Sequence, residues 1–566
     1  MTNSNPPRGE NPAELVFLPL GGCGEIGMNL NLYGFGPAHK RKWIIVDIGV
    51  TFGNAETPGI DIIMPDIEFL YQIRKNILGI ILTHAHEDHM GALARLWTRI
   101  RVPVYATPFT MFLTEGRLAE VGLLGEVPLN EIPLRGRFTL GPFDIELITL
   151  THSIPEPNAL VIRTPAGLIL HTGDWKIDPE PGIGDSVDEA ALRAVGDEGV
   201  LAMVCDSTNV FSPGVSGSEA GVRTELEKLI GEYKGRTVAV ASFASNVARL
   251  ESVMAAAAAN DRSVCLIGRS MLRMVEAANA VGLLKHVKNI VSEDEAESLP
   301  GEHVLYLCTG SQGEPRAALT RIARGAHRTV KLGKGDVVIF SSKIIPGNEK
   351  GIFALQNALV DQGIEIVTEK ARPIHVSGHP CRDELKEMYA WARPHIAIPV
   401  HGERRHLLEH EKLAKTLQVK HTLAPHNGEL IRLSKAGAQI IDIVPNGRLH
   451  EDCGEIISAD DYSLRERKKM AYAGHISIAL VVDGRGRLIG GPDPRINGFP
   501  EGEGGKLLDK LLDDVSDCAE AAFNAMRKID RTDEDEIEAK ITARVRKFIR
   551  NKTGKRALIE TIAIKV

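Results

Sequence analysis

Short apolar runs alternate with amphipathic segments along the first 210 residues of the chain. Runs with the length of buried strands lie at 14–20, 43–47, 78–82, 145–150, 167–170 and 200–204. Between them, segments such as Met90–Trp97 place their apolar residues at helical spacing. Strands that alternate with helices predict a layered α/β domain for this part of the chain.

After residue 212 the pattern of apolar and polar residues predicts a second α/β unit. Helical patterns at 225–234 and near 254–259 flank strand-like runs at 237–241 and 264–267. Loops rich in glycine and serine follow the strands at 242–246, 268–270, 308–314 and 341–348. These loops either form ordinary turns or line one sheet edge with N–H and hydroxyl groups that contact a ligand.

From about residue 446 the pattern predicts a connector followed by a small α+β domain. A basic run at 465–469 precedes an alternating strand at 476–482. Helical patterns follow at 506–527 and 534–552, and the second of these has its acids first and its basic residues last. That order suits the helix dipole and predicts a solvated face.

Length and composition narrow the class of protein without indicating a function. A chain of 566 residues, 43% hydrophobic and 25% charged, is too long for one core. It has no apolar run of the roughly 20 residues that cross a bilayer, and its N-terminus has no apolar signal-peptide core. Seven cysteines without a C-x-x-C pair favour a reducing cytoplasm and argue against thiolate zinc sites. A net charge of −7 does not by itself argue for or against a nucleic-acid partner.

A dense polar cluster follows the strand-like run at 78–82. It contains His84, His86, Asp88 and His89 at the point where the strand gives way to a helix. In an extended segment His84 and His86 point to the same side, because strand side chains repeat every two residues. Imidazole and carboxylate donors suit Zn²⁺ or Mn²⁺, so the cluster predicts a metal site.

Further donors follow other predicted strands. His152, Asp174 and His401 each come shortly after an apolar run. Together with the first cluster they are sufficient for two ions, with Asp174 as the bridging ligand. The first ion is assigned to His84, His86 and His152, and the second to Asp88, His89 and His401. Two such ions lower the pKa of a shared water and neutralise charge on a phosphate.

A glycine-rich segment offers a competing interpretation as a dinucleotide site. Gly22, Gly24 and Gly27 match G-x-G-x-x-G, and Asp47 lies 20 residues beyond Gly27. That fingerprint must open a helix, yet residues 28–33 alternate like a strand. A tight turn between strands is therefore the favoured interpretation.

The metal-ligand pattern resembles the metallo-β-lactamase superfamily. The insert between Asp206 and His375, together with His379 and His401, is similar to the β-CASP group of that superfamily. Several short sequence motifs resemble those of the bacterial ribonuclease J family, namely HSIP, HTGDWK, DSTN, FASN, GRSM, CTGSQGEP, IPGN, HVSGH and HGE. Two positions depart from the family pattern: Glu156 follows HSIP where Asp is common, and Ala248 stands where many members have His. Neither is a metal ligand, but both put minor RNA contacts in doubt.

The resemblance implies an α/β fold with three parts. A metallo-β-lactamase αβ/βα sandwich covers 14–211 and 375–445, and a β-CASP α/β insert covers 212–374. A linker at 446–464 leads to a C-terminal α+β domain at 465–566 that supports assembly. The same resemblance implies a homodimer or homotetramer. For the helix at 534–552, the alternatives to a solvated face are contact with RNA and contact with another subunit.

The implied activity is metal-dependent hydrolysis of RNA in the cytoplasm, in RNA maturation and decay. The family acts as a 5′→3′ exonuclease on single-stranded 5′-monophosphorylated RNA and also as an endonuclease, with two Zn²⁺ or Mn²⁺ and no membrane partner. Beside the metal ligand Asp88, His379 is expected to serve as acid or transition-state stabiliser, with Asp206 orienting it. The substrate residues implied are Phe243, Ala244, Ser245, Asn246, His375, Val376, Ser377, Gly378 and His379.

Three points rest on weaker grounds. The resemblance suggests a structural Ca²⁺ near Gly59, Asp61 and Asp452, three positions far apart in the sequence. A lactonase or thioesterase would use the same ligands but would have little need for the insert. A non-catalytic RNA-binding subunit is the other alternative, although every expected ligand is present, and these motifs do not separate RNA from DNA.

Overall fold

A computed structural model describes residues 13–285 and 289–566. The chain divides into two compact units. The first unit comprises residues 1–51 and 64–447, and the second comprises 52–63 and 448–566. The residues that were predicted to bind the catalytic metals all belong to the first unit.

Two sheets packed face to face form the centre of the first unit. In sheet order, the eight-stranded sheet consists of Gly437–Ile443, Glu429–Ser434, Glu14–Gly21, Leu30–Gly36, Lys42–Val46, Ile77–Ile81, Val104–Ala106 and Leu129–Glu131. The seven-stranded sheet consists of Arg137–Leu140, Phe143–Thr149, Asn158–Thr164, Gly167–His171, Val200–Asp206, Ile396–Val400 and His421–Thr422. Side chains such as Phe17, Ile44, Ile162 and Ile398 from the facing strands are buried together in one core.

Helices cover the outer faces of both sheets. Over the eight-stranded sheet lie Glu68–Ile73, Leu93–Ile100 and Pro108–Glu120, where the Phe69 ring meets Trp43 edge to face. Over the seven-stranded sheet lie Glu189–Glu198, Arg382–Ala392 and Arg404–Thr416, which share a second core with it. These layers confirm the predicted αβ/βα sandwich. The strand Leu30–Gly36 directly follows the glycine-rich segment, so that segment does not open a helix and the dinucleotide interpretation fails.

The predicted insert contains a separate six-stranded sheet in which all neighbouring strands run parallel. Its strands are, in sheet order, Ile290–Val291, Ser263–Ile267, Val304–Cys308, Val238–Ala241, Val337–Phe340 and Glu365–Thr368. The helices along this segment are Glu219–Glu232, Val247–Ala259, Arg269–Ala280, Glu293–Glu297, Ala318–Ala323 and Glu349–Val360. One apolar core lies on each face of the sheet, as expected for parallel strands connected by helices.

The second unit contains a strand pair and a three-stranded sheet. Arg448–Asp452 pairs antiparallel with Glu455–Ser458, and the sheet consists of His475–Val482, Asp493–Asn497 and Leu558–Lys565. Helices Lys506–Asn524 and Glu534–Thr553 bury Val515, Phe523, Ile541 and Val545 against the three-stranded sheet. Residues 446–464, expected to be a linker, thus contain two paired strands, and the basic run 465–469 lies inside the helix Tyr462–Ala473.

No helix in the described part of the chain is both long enough and apolar enough to cross a membrane. All seven cysteines are free, and five of them are buried.

Candidate metal centre

Every predicted metal ligand lies just beyond the C-terminal end of a strand. His84 and His86 follow Ile77–Ile81, and Asp88 and His89 belong to the short helix Glu87–Met90. His152 follows Phe143–Thr149, Asp174 follows Gly167–His171, and His401 follows Ile396–Val400. The two sheets of the sandwich end at one edge, so loops that are far apart in sequence meet there.

The first group of donors joins three imidazoles and one carboxylate. Nδ1 of His86 lies 3.1 Å from Nε2 of His84 and 3.1 Å from Nε2 of His152. Oδ2 of Asp174 lies 3.9 Å and 3.8 Å from the same two Nε2 atoms. A tetrahedral ion with bonds of about 2.0–2.1 Å holds its donors roughly 3.3–3.4 Å apart. The donor spacing therefore suits one small divalent cation.

The second group shares Asp174 with the first. Oδ2 of Asp174 lies 3.2 Å from Nε2 of His89 and 3.5 Å from Nε2 of His401. Oδ2 of Asp88 lies 3.1 Å from Nε2 of His401 and 3.7 Å from Nε2 of His89. Both groups have all their donor atoms within 4.8 Å of one another. The structure thus brings together all seven predicted ligands, and Asp174 belongs to both groups.

Asp47 contacts the Nδ1 side of two of these histidines, His89 directly and His84 through Thr83. Its Oδ2 lies 2.7 Å from Nδ1 of His89 and accepts a 2.9 Å hydrogen bond from Thr83, whose Oγ1 lies 3.0 Å from Nδ1 of His84. Such partners hold each ring with Nε2 turned toward the other donor atoms. Asp47 is fully buried and has a positive φ of 64°. The sequence placed it only at a strand end, and this role is visible only in three dimensions.

A second chain of hydrogen bonds connects His401 with His379. Nδ1 of His401 lies 2.7 Å from Oγ1 of Thr208, which donates to Oδ1 of Asp206 over 2.8 Å. The other carboxylate oxygen of Asp206 lies 2.8 Å from Nδ1 of His379. Asp206 therefore contacts His379, for which the family resemblance predicts an orienting role, and is connected to the predicted ligand His401 through Thr208. Sequence reasoning missed Thr208, although it lies inside the DSTN segment.

The loop 375–379 and the insert each contact a metal ligand. Nδ1 of His152 lies 2.5 Å from the carbonyl oxygen of Gly378. A Cβ added to Gly378 would lie 2.6 Å from Oγ of Ser153 and 2.9 Å from the His152 ring, so glycine is required for this close approach. From the insert, Oγ of Ser245 lies 3.1 Å from Nε2 of His86.

The two donor groups differ in electrostatics. Burial lowers the pKa of His86 to about 4 and holds the pKa values of His84 and His152 well below the usual range. Around His401, burial is outweighed by Asp174, Asp88 and Asp206, which raise its pKa to about 9. The three neutral imidazoles are ready to bind a cation. Binding a cation at His401 requires that a proton leave.

The residues predicted to bind substrate are half-buried, except Asn246, which is buried. Phe243, Ala244 and Ser245 are half-buried. The Asn246 side chain is buried, because it caps the helix Val247–Ala259 at the Arg249 N–H and donates to Glu219. Asn246 thus has its hydrogen bonds within the protein rather than facing a nucleotide.

In the loop 375–379, the hydroxyl oxygen of Ser377 accepts hydrogen bonds from Asn209 at 2.7 Å and from the His379 N–H at 3.2 Å. Val376 is half-buried and packs against the insert core. Nδ1 of His375 is buried without a hydrogen-bond partner among the described residues. Burial, with Arg249, Lys343 and Lys176 nearby, lowers the pKa of His375 to about 3.

The suggested calcium residues surround an arginine. Asp452 pairs with Arg467, and the same guanidinium lies 3.1 Å from where a Cβ on Gly59 would sit. The Asp452 carboxylate therefore already has a cation beside it. Ca²⁺ at Gly59, Asp61 and Asp452 stays a prediction without support from this geometry.

Four family models match the chain in succession. They are the metallo-beta-lactamase superfamily at 36–231, the ribonuclease J beta-CASP domain at 234–359, a Zn-dependent metallo-hydrolase RNA specificity domain at 363–425 and the ribonuclease J C-terminal domain at 462–566. Together they match most of the sandwich, most of the insert and the C-terminal domain.

Relatives of known name match over nearly the full length. Ribonuclease J of Sinorhizobium meliloti is 46% identical over 555 residues, which are 98% of each chain. Ribonuclease J of Thermus thermophilus is 35% identical over 97% of this chain and 95% of its own. A crystal structure of an Enterococcus faecalis protein of unknown function aligns with a TM-score of 0.50 at 16% identity, over 74% of this chain and all of that one. That last likeness concerns the fold alone.

Proposed function

The chain belongs to the ribonuclease J family and is a metal-dependent ribonuclease, and from that premise we propose that it degrades RNA 5′→3′ from monophosphorylated ends and also cuts internally. The observation that carries the proposal is the single loop 375–379. It contacts the metal ligand His152 through Gly378 and also carries the unpaired polar groups that a terminal phosphate would need.

We assign two Zn²⁺, or Mn²⁺, to the two donor groups. His84, His86 and His152 would hold one ion, Asp88, His89 and His401 the other, and Asp174 both. When bound, the ions supply a nucleophile at neutral pH and neutralise charge on the scissile phosphate. Nitrogen and carboxylate donors, all buried or half-buried, favour such ions over Ca²⁺, which prefers oxygen ligands.

His379 is assigned the proton that the leaving 3′ oxygen needs. Its Nδ1 side is held by Asp206, so its Nε2 is left for the substrate. Burial opposes the charged form, but Asp206 and Asp174 raise the pKa of His379 above its ordinary value. A protonated imidazole at the edge of the metal centre is suited to general-acid catalysis.

The 5′-phosphate is assigned to His375, Ser377 and the backbone of the loop between them. Ser377 accepts two hydrogen bonds through its oxygen, and its own O–H has no acceptor among the described residues. Lys343 lies near His375 and forms no ion pair within the described part of the chain, although Glu369 is among its charged neighbours. A hydroxyl donor beside a cation suits a phosphate monoester.

Phe243, Ala244 and Ser245 are proposed to contact the first nucleotide from the insert side, and Asn246 to support them through its helix cap. We place the reaction in the cytoplasm, where RNA maturation and decay occur and where free cysteines stay reduced. Assembly into a homodimer or homotetramer and the domain boundaries given above are likewise proposals.

Labelled RNA with a 5′-monophosphate, the same RNA with a 5′-triphosphate, and DNA of the same sequence test the proposal with Zn²⁺ or Mn²⁺ added. We expect mononucleotides to appear first from monophosphorylated RNA, with slower internal cuts in the triphosphate form. The variant Ser377→Ala should slow the monophosphate reaction about tenfold more than the triphosphate reaction. Ser186→Ala, an exposed serine, is the matched control. Equal losses on both RNAs would refute the phosphate assignment, and faster cleavage of DNA would refute RNA preference.

A further inference from the structure

An open cleft of about 840 Å³ lies on the second unit, within its C-terminal helices and strand. It is lined by Lys469 from the helix Tyr462–Ala473, by one face of the helix Glu534–Thr553, and by Arg556. Five of its eight lining residues are lysine or arginine, and none is acidic. The cleft is therefore strongly positive although the whole chain carries a net charge of −7.

Helical spacing places three of the cations on one face of the helix. Arg546, Lys547 and Arg550 stand at i, i+1 and i+4, on the side of the helix that turns away from the buried Val545 and Ile549. All three are exposed, as are Lys469 and Arg556. The core packing of the helix fixes its rotation, so the cations are presented to solvent as a row.

These five cations form no ion pair with an acidic side chain of the described residues, in contrast to several other cations of the same domain. Lys540 pairs with Asp530 and Glu536, Lys552 pairs with Asp514, and Arg467 pairs with Asp452. Within residues 448–566, which the structure describes in full, no ion pair is formed by any cation of the cleft. Clustered like charges without acidic partners attract polyanions, which would neutralise them.

We infer that this basic cleft is a second RNA-binding surface, which holds the phosphate backbone of a single strand away from the cleaved end. Arginine and lysine bind phosphates, and the lining contains no aromatic side chain among the described residues on which a base would stack. Binding is thus by phosphate contacts without sequence preference. The inference rests on RNA being the substrate and is independent of the direction of cleavage.

The test compares the full-length enzyme with the triple variant Arg546→Gln, Lys547→Gln, Arg550→Gln. A matched control removes three exposed charges from the same domain outside the cleft, with Lys506→Gln, Lys510→Gln and Arg544→Gln. Both are assayed for kcat/KM on 5′-monophosphorylated RNA of about six and about forty nucleotides across a range of salt.

For the long RNA we expect kcat/KM of the cleft variant to fall about tenfold, and the salt slope of log kcat/KM to decrease by about 2, at ~0.7 per lost phosphate contact. The short RNA should be cleaved as by wild type, which also shows that the variant is folded. Equal behaviour of the cleft and control variants on long RNA would overturn the inference, as would a change in oligomeric state with no change in salt slope. If wild-type protein cleaves neither RNA, the assigned activity fails instead, so the two failures are distinguishable.

Discussion

Oγ of Ser245, in the inserted domain, lies 3.1 Å from Nε2 of His86, a ligand of the sandwich domain. Nδ1 of the same imidazole faces the donor atoms of His84 and His152. When Nε2–H donates to the serine, Nδ1 is left with its lone pair for an ion. The insert therefore contributes a hydroxyl that can favour the His86 tautomer with a free Nδ1 lone pair.

Removal of this contact should weaken the metal centre. We expect Ser245→Ala to lower metal affinity and kcat about tenfold, in the range typical for partners of metal-bound histidines. Metal titration against a competing chelator and steady-state RNA cleavage measure the two effects. Ser245→Thr keeps the hydroxyl and should retain most of both; if Ser245→Ala binds metal as tightly as wild type, the contact has no such role.

The two donor groups should lose their ions separately. His401→Ala removes one ligand of the second group and should reduce bound zinc from about two ions to about one per chain, with RNA cleavage abolished. His152→Ala is the counterpart in the first group and should show the same stoichiometry. Mass spectrometry of the native protein counts the ions, and circular dichroism checks the fold. Zinc content near two in both variants would contradict the assignment.

Asp206 should control the alkaline limit of activity through His379. A proton donor must be protonated, so the rate falls as pH rises through its pKa. The Asp206 carboxylate raises the pKa of His379, so Asp206→Asn should move the alkaline fall in kcat/KM to lower pH. This direction holds whether or not ions are bound. A lower rate with an unchanged pH profile would assign Asp206 a purely structural role.

Buried histidines away from the ions should make the fold sensitive to acid. His410 lies between Ser207 at 2.8 Å and Tyr389 at 3.0 Å, and burial lowers its pKa to about 4. Because the unfolded chain binds this proton at about pH 6.5, stability is complete above that pH and is lost as pH falls toward 4. The loss from this group should be on the order of 1 kcal/mol by pH 5.5.

Urea unfolding at pH 7.5, 6.5 and 5.5, within the titration range of histidine at about 6.5, measures this loss. The variant His410→Gln has no group to titrate there, so its free energy of unfolding should change less between these pH values than that of wild type. An identical pH dependence in the two proteins would show that His410 does not contribute.

Much of the fold followed from local pattern. Strands that are buried on both faces, such as Ile77–Ile81 and Val304–Cys308, consist almost entirely of apolar residues, so they are recognisable without any partner. The seven predicted metal ligands were recognisable because each follows the end of an apolar strand and is a histidine or an aspartate. The basic run 465–469, which lies in the helix Tyr462–Ala473, predicted no particular element, because short charged segments contain little information about whether they form a helix or a connector.

The sequence by itself determined which elements form and which residues could bind a metal, because strand burial and donor chemistry are local properties. Only the tertiary structure decided what holds those ligands in place. Asp47, Thr208, Ser245 and the carbonyl of Gly378 each orient a different imidazole. Ser245 and His86 are separated by 159 positions, and Gly378 and His152 by 226. Hydrogen bonds across such distances exist only after both sheets and the insert have packed, so no local pattern encodes them.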